Sequence, residues 1–294
     1  MRTISLPLII LILSTFIACQ SNPDQTKGRS IVVSILPQKY IIDRLSDSTI
    51  KVTVVVPPGS SPELYEPTAL TMKEVSSSEL LMIIGPLEFE KILVSKIVEL
   101  APSIKILNHS DSINLIEGEC GHLAHQGEEH SLDPHIWSSP KEFRQMVSQT
   151  YFALTSYYPE KTDIIKKNLK EIMIDIDRID SLFSVMSTNA INKKFIVYHP
   201  AYGYLAHDYG FEQLSIEENG KTPSAEKLRD LVDLAKLNGI SKVFVQAQFD
   251  AHFIESLALE INADIVQVDP LAYDWVASNL QLIDNFNAVM IKNK

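Results

Sequence analysis

Four side chains of metal-binding type follow strand-like segments or precede a predicted helix. Glu63 lies in the loop PPGSSPELYEPT, and His199 and Asp269 each close a β-branched run just before a proline. His135 lies in LDPHIWSSP, just before a predicted helix. Two imidazoles and two carboxylates suit a divalent transition metal, because Mg²⁺ and Ca²⁺ prefer shells made of oxygen. Since the set contains no thiolate, copper(I) and a closed structural zinc site are disfavoured. Zinc, manganese and ferrous iron remain.

Each of these residues also has an ordinary structural explanation. A single histidine after a strand, such as His199, is commonly a hydrogen-bonded turn residue. Asp269 before a proline is commonly a turn or cap former. Glu63, in a loop rich in Pro and Ser, is by default a solvated side chain. The residue types alone therefore leave the site open, and the elements that position them must be considered.

Eight β-branched runs, four in each half of the chain, predict strands that alternate with helices. They are Ile31–Pro37, Lys51–Pro58, Leu80–Pro86, Ser103–His109, Lys194–His199, Leu214–Ile216, Lys242–Gln248 and Ala263–Asp269. Nearly continuous apolar strands are typical of parallel sheets covered on both faces. In open α/β sheets, ligands bind beyond the carboxyl ends of strands. Side chains from several strand-end loops can therefore converge on one ion.

Apolar periodicity predicts the helices between these strands. One covers Glu88–Leu100, and another is expected to start at Thr222-Pro223 and to end near Asn238-Gly239, a pair typical of a helix C-terminus. The longest predicted helix, about Glu160 to Met186, would measure roughly 40 Å. A coiled-coil oligomerisation helix is one interpretation of its apolar stripe. We favour a rigid connector packed across two lobes, which leaves a cleft between them.

The sequence therefore predicts an α/β fold with two parallel-sheet lobes bridged by one long backbone helix and a metal site in the interlobe cleft. The expected boundaries are residues 30–158 for the N-terminal lobe, 159–188 for the connecting helix and 189–294 for the C-terminal lobe. Glu63 and His135 would come from the first lobe, and His199 and Asp269 from the second. The two lobes would together hold a single cation in the cleft between them.

The N-terminus has the pattern of a lipoprotein signal. Arg2 precedes an apolar run to Ala18 that is too short to span a bilayer but suits a signal peptide over residues 1–18. Cys19 would carry the lipid, and the polar residues 19–29 would form a tether. An ordinary cleaved signal peptide with an incidental cysteine is the alternative. With Cys19 lipidated, Cys120 would remain as a single thiol, so no intramolecular disulfide is expected.

A segment rich in His and acidic residues precedes the second ligand loop. His122, His125, His130 and His135 fall within 14 residues, together with several Glu side chains, and make up four of the eight histidines. Such a tract is typical of an accessory, labile metal-binding surface, although some are only solvated loops. We expect it to bind metal more weakly than the cleft.

Composition excludes several functions. The formal net charge of -11 argues against a nucleic-acid partner, since no surplus of cationic side chains exists to displace phosphate counterions. The sequence contains neither GxGxxG nor GxxxxGK[ST], the two glycine-rich motifs that are typical of nucleotide-binding sites. A zinc-dependent hydrolase would need an open coordination position and a general base. No HExxH pair is present, and nothing in the sequence positions Glu217 or Glu218 for that role. A surface adhesin with a structural metal site is a further alternative.

Together these segments resemble the zinc- and manganese-binding solute-binding proteins of bacterial ABC transporters. The resemblance runs from about Ser30 to the C-terminus through PPGSSPELYEPT, DPHIWSSP, VYHPAYGYLAHDYG, IEENGKTPSAEKL and VDPLAYDW, in that order. It implies two lobes with small closure motions and a monomer that delivers its cargo to an ABC permease. It also implies His135 and His199 as ligands, with Asp269 as a third or fourth.

One position departs from the family's pattern. The first ligand loop usually carries His directly after its proline, where this chain has Glu63. A carboxylate is harder than an imidazole and shifts preference toward manganese, whereas the His-rich segment favours zinc. We expect Glu63 to be a ligand and zinc to be the favoured cargo, with manganese possible. Alternatively Glu63 is a bystander, and water or a histidine from the His-rich segment completes the site.

Overall fold

Two parallel β-sheets with helices packed around them form the protein, which is described here as a computed structural model. The structure describes residues 29–118, 132–217, 223–249 and 254–290. The predicted signal peptide, the lipidation site Cys19 and the accessory histidines lie outside these residues; the histidines are His122, His125 and His130. Within the described ranges, no helix has the length and apolar character needed to cross a bilayer.

The first sheet has the strand order β2-β1-β3-β4, and all of its strand pairs are parallel. Its strands are β1 (Ile31–Val33), β2 (Val52–Val54), β3 (Leu80–Ile83) and β4 (Lys105–Asn108). The helices of this lobe are α1 (Leu36–Ser46), α2 (Ala69–Ser76), α3 (Glu88–Leu100) and α4 (Pro140–Tyr157). β1 and β3 are buried along their whole length, as predicted for strands covered on both faces.

A 28-residue helix, α5 (Thr162–Asn189), connects the two lobes. It packs against α1 and α4 of the first lobe and against two helices of the second. Its buried stripe follows the predicted apolar period: Ile165, Asn168, Ile172, Ile176, Ile179, Phe183 and Met186. Because both lobes cover this stripe within one chain, the connector interpretation is confirmed.

The second sheet repeats the order of the first, as β6-β5-β7-β8. Its strands are β5 (Lys194–Val197), β6 (Glu212–Ser215), β7 (Lys242–Gln246) and β8 (Asp264–Val268). Its helices are α6 (Gly203–Tyr209), α7 (Ala225–Asn238), α8 (Glu255–Glu260) and α9 (Trp275–Met290). The fold class predicted from the sequence, two parallel-sheet lobes bridged by a long helix, is confirmed.

Alternation along β5 shows how the core is divided. Phe195 and Val197 join the large core that runs through the first lobe, α5 and α9, whereas Ile196 joins a smaller cluster beneath α7 and α8. One continuous apolar core therefore joins the lobes, and a satellite cluster fills the outer face of the second sheet.

Helix limits differ from the predictions at two ends. α7 begins at Ala225, and Ser224 is its N-cap because its side chain accepts a hydrogen bond from the backbone N–H of Lys227. The predicted start at Thr222-Pro223 is therefore wrong, although the predicted end is confirmed by Gly239 in the left-handed conformation. α5 starts two residues later than predicted, because a short 3-10 helix at Pro159–Lys161 precedes it.

Candidate metal site

Both lobes contribute side chains to the space between the two sheets. Glu63 lies in the loop after β2, and His135 directly precedes a 3-10 helix, Ile136–Ser138, that leads into α4. His199 lies two residues beyond the end of β5. Glu63 and His199 thus follow the carboxyl ends of parallel strands, where ligands of open α/β sheets bind, whereas His135 comes from the segment before α4.

Three of the predicted ligands converge on one point. Glu63 Oε1 lies 2.7 Å from His199 Nε2 and 3.2 Å from His135 Nε2, and the two Nε2 atoms are 3.2 Å apart. Donors bound about 2.0 Å from a tetrahedral zinc are roughly 3.3 Å from one another. Within the described parts of the chain, these three residues form the group whose ligand atoms lie within 4.8 Å of one another. Their spacing fits three corners of a tetrahedral site.

On the side of the ring away from Glu63, the Nδ1 atom of each histidine contacts a second carboxylate. Asp133 Oδ1 lies 2.7 Å from His135 Nδ1, and Glu217 Oε1 lies 2.7 Å from His199 Nδ1. A carboxylate accepts hydrogen bonds, so each Nδ1 carries a hydrogen, and each Nε2 would present its lone pair to an ion bound between the rings and Glu63. This is the tautomer that a metal requires from both rings.

The local sequence explains how His135 is oriented. Asp133 Oδ1 also accepts a hydrogen bond of 2.8 Å from the backbone N–H of His135, so Asp133-Pro134-His135 forms a compact turn around one oxygen. The next aromatic residue, Trp137, packs against the His135 ring with centroids 5.2 Å apart. The ring is 4% exposed and has little freedom to leave the site.

Charge in the site is dominated by the carboxylates. Burial lowers the pKa of both imidazoles, but the neighbouring carboxylates outweigh it and raise the pKa of His135 and His199 above the usual range. Burial raises the pKa of the Glu63 carboxyl, but hydrogen bonds and charge from the two histidines outweigh it and hold that pKa well below its usual range. The site is therefore built to accept positive charge, which a divalent cation supplies.

The cavity beside these atoms is small. Its volume is about 20 Å³, and neutral side chains such as Trp137, Gln246, Phe249 and Leu271 line the rest of it. A cavity of roughly 10–15 Å³ already holds one water molecule. The space therefore suits a single ion and excludes an organic substrate or a metal chelate.

Asp269, the fourth predicted ligand, lies beside this group and not within it. Its Oδ1 accepts hydrogen bonds from Gln248 Nε2 at 2.8 Å and from the backbone N–H of Leu271 at 3.0 Å. It lines a neighbouring cavity with Gln248, Leu271 and residues 57–60. The role of Asp269 as a ligand stays a prediction, as do the roles of the accessory histidines, which lie outside the described residues.

Sequence reasoning missed the two supporting carboxylates. Asp133 had a local signal, since an Asp two residues before a His can bond its backbone and its ring. Glu217 was considered only as the base of a hydrolase. Its contact with His199 spans 18 residues of sequence and depends on β5 and β6 being neighbours in the sheet. Periodicity along the chain contains no information about that contact.

Two α/β lobes joined by a stiff helix, with an ion-sized site of His and carboxylate donors between them, define a metal-binding solute-binding protein. The sequence profile of the zinc-uptake complex component A, the periplasmic ZnuA family, matches residues 31–293. The chain belongs to this family, which is a family of metal-binding transport proteins and not of enzymes.

Individual relatives agree with this assignment. The zinc-binding lipoprotein AdcA of Streptococcus pneumoniae is 26% identical over 303 residues, which cover 100% of this chain and 60% of AdcA. This chain thus spans about 60% of that relative's length. A crystal structure of ZnuA superposes with a TM-score of 0.80 at 30% identity, covering 89% of this chain and 99% of ZnuA.

The periplasmic zinc-binding protein TroA of Treponema pallidum has the same fold. It superposes with a TM-score of 0.76 at 19% identity and covers 90% of this chain and 99% of TroA.

Proposed function

We propose that this protein captures a divalent transition metal, with zinc favoured over manganese, in the cleft between its lobes and delivers it to an ABC import permease. Glu63, His135 and His199 would bind the ion, and Asp269 would complete the shell. The observation that supports this most directly is the convergence of two Nε2 atoms and one carboxylate oxygen at distances of 2.7–3.2 Å. Membership of the zinc-uptake family supports zinc as the favoured ion.

The protein would act while attached to a membrane by its lipid anchor. A lipid on Cys19 would hold the protein, as a monomer, on a membrane of the cell envelope, facing the periplasm or the extracellular side, and residues 19–29 would let the lobes reach the permease. The described chain begins at Arg29, whose guanidinium donates to the Tyr157 carbonyl and pairs with Glu160. The tether would therefore leave the protein where α4 meets α5.

A binding role is favoured over hydrolysis by the partners of the two buried carboxylates. Both Asp133 and Glu217 lie 2.7 Å from a ligand imidazole. A general base must instead be within reach of a metal-bound water. Neither of these two carboxylates is therefore placed as a base, and we propose that the metal is cargo and not a catalytic centre.

The test is a metal titration of the purified, metal-stripped protein. Zinc and manganese are titrated against a chromophoric chelator into the wild type, His199→Ala and a control, His207→Ala, whose side chain is 67% exposed. We expect one tight zinc site in the wild type and in the control, and its loss in His199→Ala. Absence of a tight site for either metal, or a tight site indifferent to His199→Ala, would refute the proposed function.

A further inference from the structure

Glu217 is a buried acidic side chain that reaches the site from a strand next to that of His199. It lies two residues beyond β6, is 5% exposed, and its Oε1 is 2.7 Å from His199 Nδ1. Its backbone N–H donates to the Tyr198 carbonyl at 3.0 Å, and Lys227 Nζ donates to the Glu217 carbonyl at 2.8 Å. The main chain of Glu217 is thereby fixed on both sides, and its carboxylate points at one imidazole.

Apart from the contacts of Nε2 with Glu63 and His135, the other contacts of His199 fix its backbone and the plane of its ring, but not which nitrogen faces the ion. Gln246 Oε1 accepts from the His199 backbone N–H at 3.1 Å, and Gln246 Nε2 donates to the His199 carbonyl at 2.5 Å. The ring stacks on Phe249 with centroids 5.4 Å apart. A half-turn of the ring about its bond to Cβ would preserve the stacking and exchange the positions of the ring atoms. Outside the three proposed ligands, the hydrogen bond to Glu217 is the described contact that selects between these orientations.

We infer that Glu217 is a positioning residue for metal capture: it orients the His199 ring, keeps the proton on Nδ1 and so directs the Nε2 lone pair to the ion. A carboxylate behind an imidazole also strengthens that imidazole as a donor, and loss of such a partner commonly weakens metal affinity by about 10- to 100-fold. This inference rests on the proposed function, because it assigns Glu217 a role toward the proposed cargo.

Three variants separate positioning from a general effect on folding. Glu217→Ala removes the acceptor, whereas Glu217→Gln removes the charge and keeps an amide oxygen that can accept from Nδ1–H. Glu226→Gln, on the exposed first turn of α7, removes one negative charge from the same lobe without touching the site. Zinc affinity is measured by chelator competition, and circular dichroism establishes that each variant is folded.

The second readout is nuclear magnetic resonance of the histidine rings in the zinc-loaded proteins. Long-range ¹H–¹⁵N correlations identify which nitrogen of His199 is metal-bound and whether its Nδ1–H gives a protected, low-field resonance. A residue that only stabilises the fold would not change this signature in a folded, zinc-loaded variant.

We expect Glu217→Ala to bind zinc about 10- to 100-fold more weakly and to lose the low-field Nδ1–H resonance of His199. Glu217→Gln should keep the resonance and show an intermediate affinity, and Glu226→Gln should match the wild type. If Glu217→Ala retains both the affinity and the resonance, or loses affinity with the resonance intact, the inference is wrong while the proposed function stands. If the wild type itself has no tight zinc site, the proposed function fails and the inference fails with it.

Discussion

Glu63 brings an oxygen atom to the position where the family resemblance leads us to expect His. Its Oε1 is the atom closest to His199 Nε2, at 2.7 Å, and its side chain is 30% exposed, more than either histidine. It is therefore the donor nearest the solvent. A carboxylate is a harder donor than an imidazole, so we expect Glu63 as a ligand to shift the preference toward manganese.

We predict that Glu63→Gln weakens zinc binding at least tenfold, about 1.4 kcal/mol, because a neutral amide replaces the anionic donor. Glu63→His should raise the ratio of zinc affinity to manganese affinity, since imidazole favours zinc. Chelator competition with both metals measures these effects. Glu66→Gln, an exposed residue of the same loop, is the control. Equal affinities of Glu63→Gln and Glu66→Gln would identify Glu63 as a bystander.

The elements that position the site were largely predictable from local sequence. The limits of α3 match the prediction, and seven of the eight predicted strands are present in shorter form, whereas β6 begins two residues earlier than predicted. The spacing of apolar residues and their burial determine where helices and strands lie to within a few residues. Capping atoms determine their ends, which is why Ser224 and not Thr222 starts α7. Contacts between neighbouring strands, such as Glu217 with His199, depend on sheet order and were not predictable from periodicity.

Directly after β4, a third buried histidine, His109, has a structural role. His109 is completely buried, with Nδ1 3.2 Å from the Ile83 carbonyl oxygen and Nε2 3.1 Å from Thr150 Oγ1. Burial lowers the pKa of His109 from 6.5 to about 4. The neutral ring thus links β3 and β4 to α4, the helix that follows the His135 segment.

This lowered pKa predicts a pH dependence of stability. Between pH 6.5 and about 4 the unfolded chain takes up a proton that the folded protein excludes, so the stabilisation is complete above pH 6.5 and is lost as the pH falls toward 4. The shift of the His109 pKa corresponds to a change of about 3 kcal/mol in the free energy of unfolding across this pH range. Urea unfolding of the wild type and His109→Gln across this range measures it, with His207→Gln as the control. Parallel pH profiles for wild type and His109→Gln would contradict the prediction.

At the scale of the whole molecule, the lobes are joined by more than α5. Trp137 Nε1 donates to the Pro270 carbonyl at 2.8 Å, and Trp275 Nε1 donates to the Trp137 carbonyl at 2.8 Å. Phe143 of the first lobe stacks on Trp275 of the second with centroids 4.0 Å apart. These contacts lie next to His135 and Asp269 in sequence. We therefore expect movement of one lobe to displace the loops that carry His135 and Asp269.

Gly203 offers a direct test of this coupling between lobe packing and the site. It begins α6 of the second lobe, and a Cβ added there would lie 2.1 Å from Asp133 Oδ2 in the first lobe. Asp133 cannot move away without disturbing His135, because its other oxygen is hydrogen-bonded to both the backbone and the ring of His135. A methyl group at this position must either separate the lobes or displace the carboxylate that orients His135.

We therefore predict that Gly203→Ala weakens zinc binding at least tenfold. Gly239→Ala is the matched control: Gly239 has a φ of +61° and no atom within 4 Å of an added Cβ. That change should lower the free energy of unfolding by about 1–2 kcal/mol through backbone strain alone and leave zinc affinity unchanged. Thermal unfolding and chelator competition on both variants separate stability from affinity. If Gly203→Ala lost only stability, as Gly239→Ala should, lobe packing at α6 would be independent of metal capture, and Asp133 would adjust without moving His135.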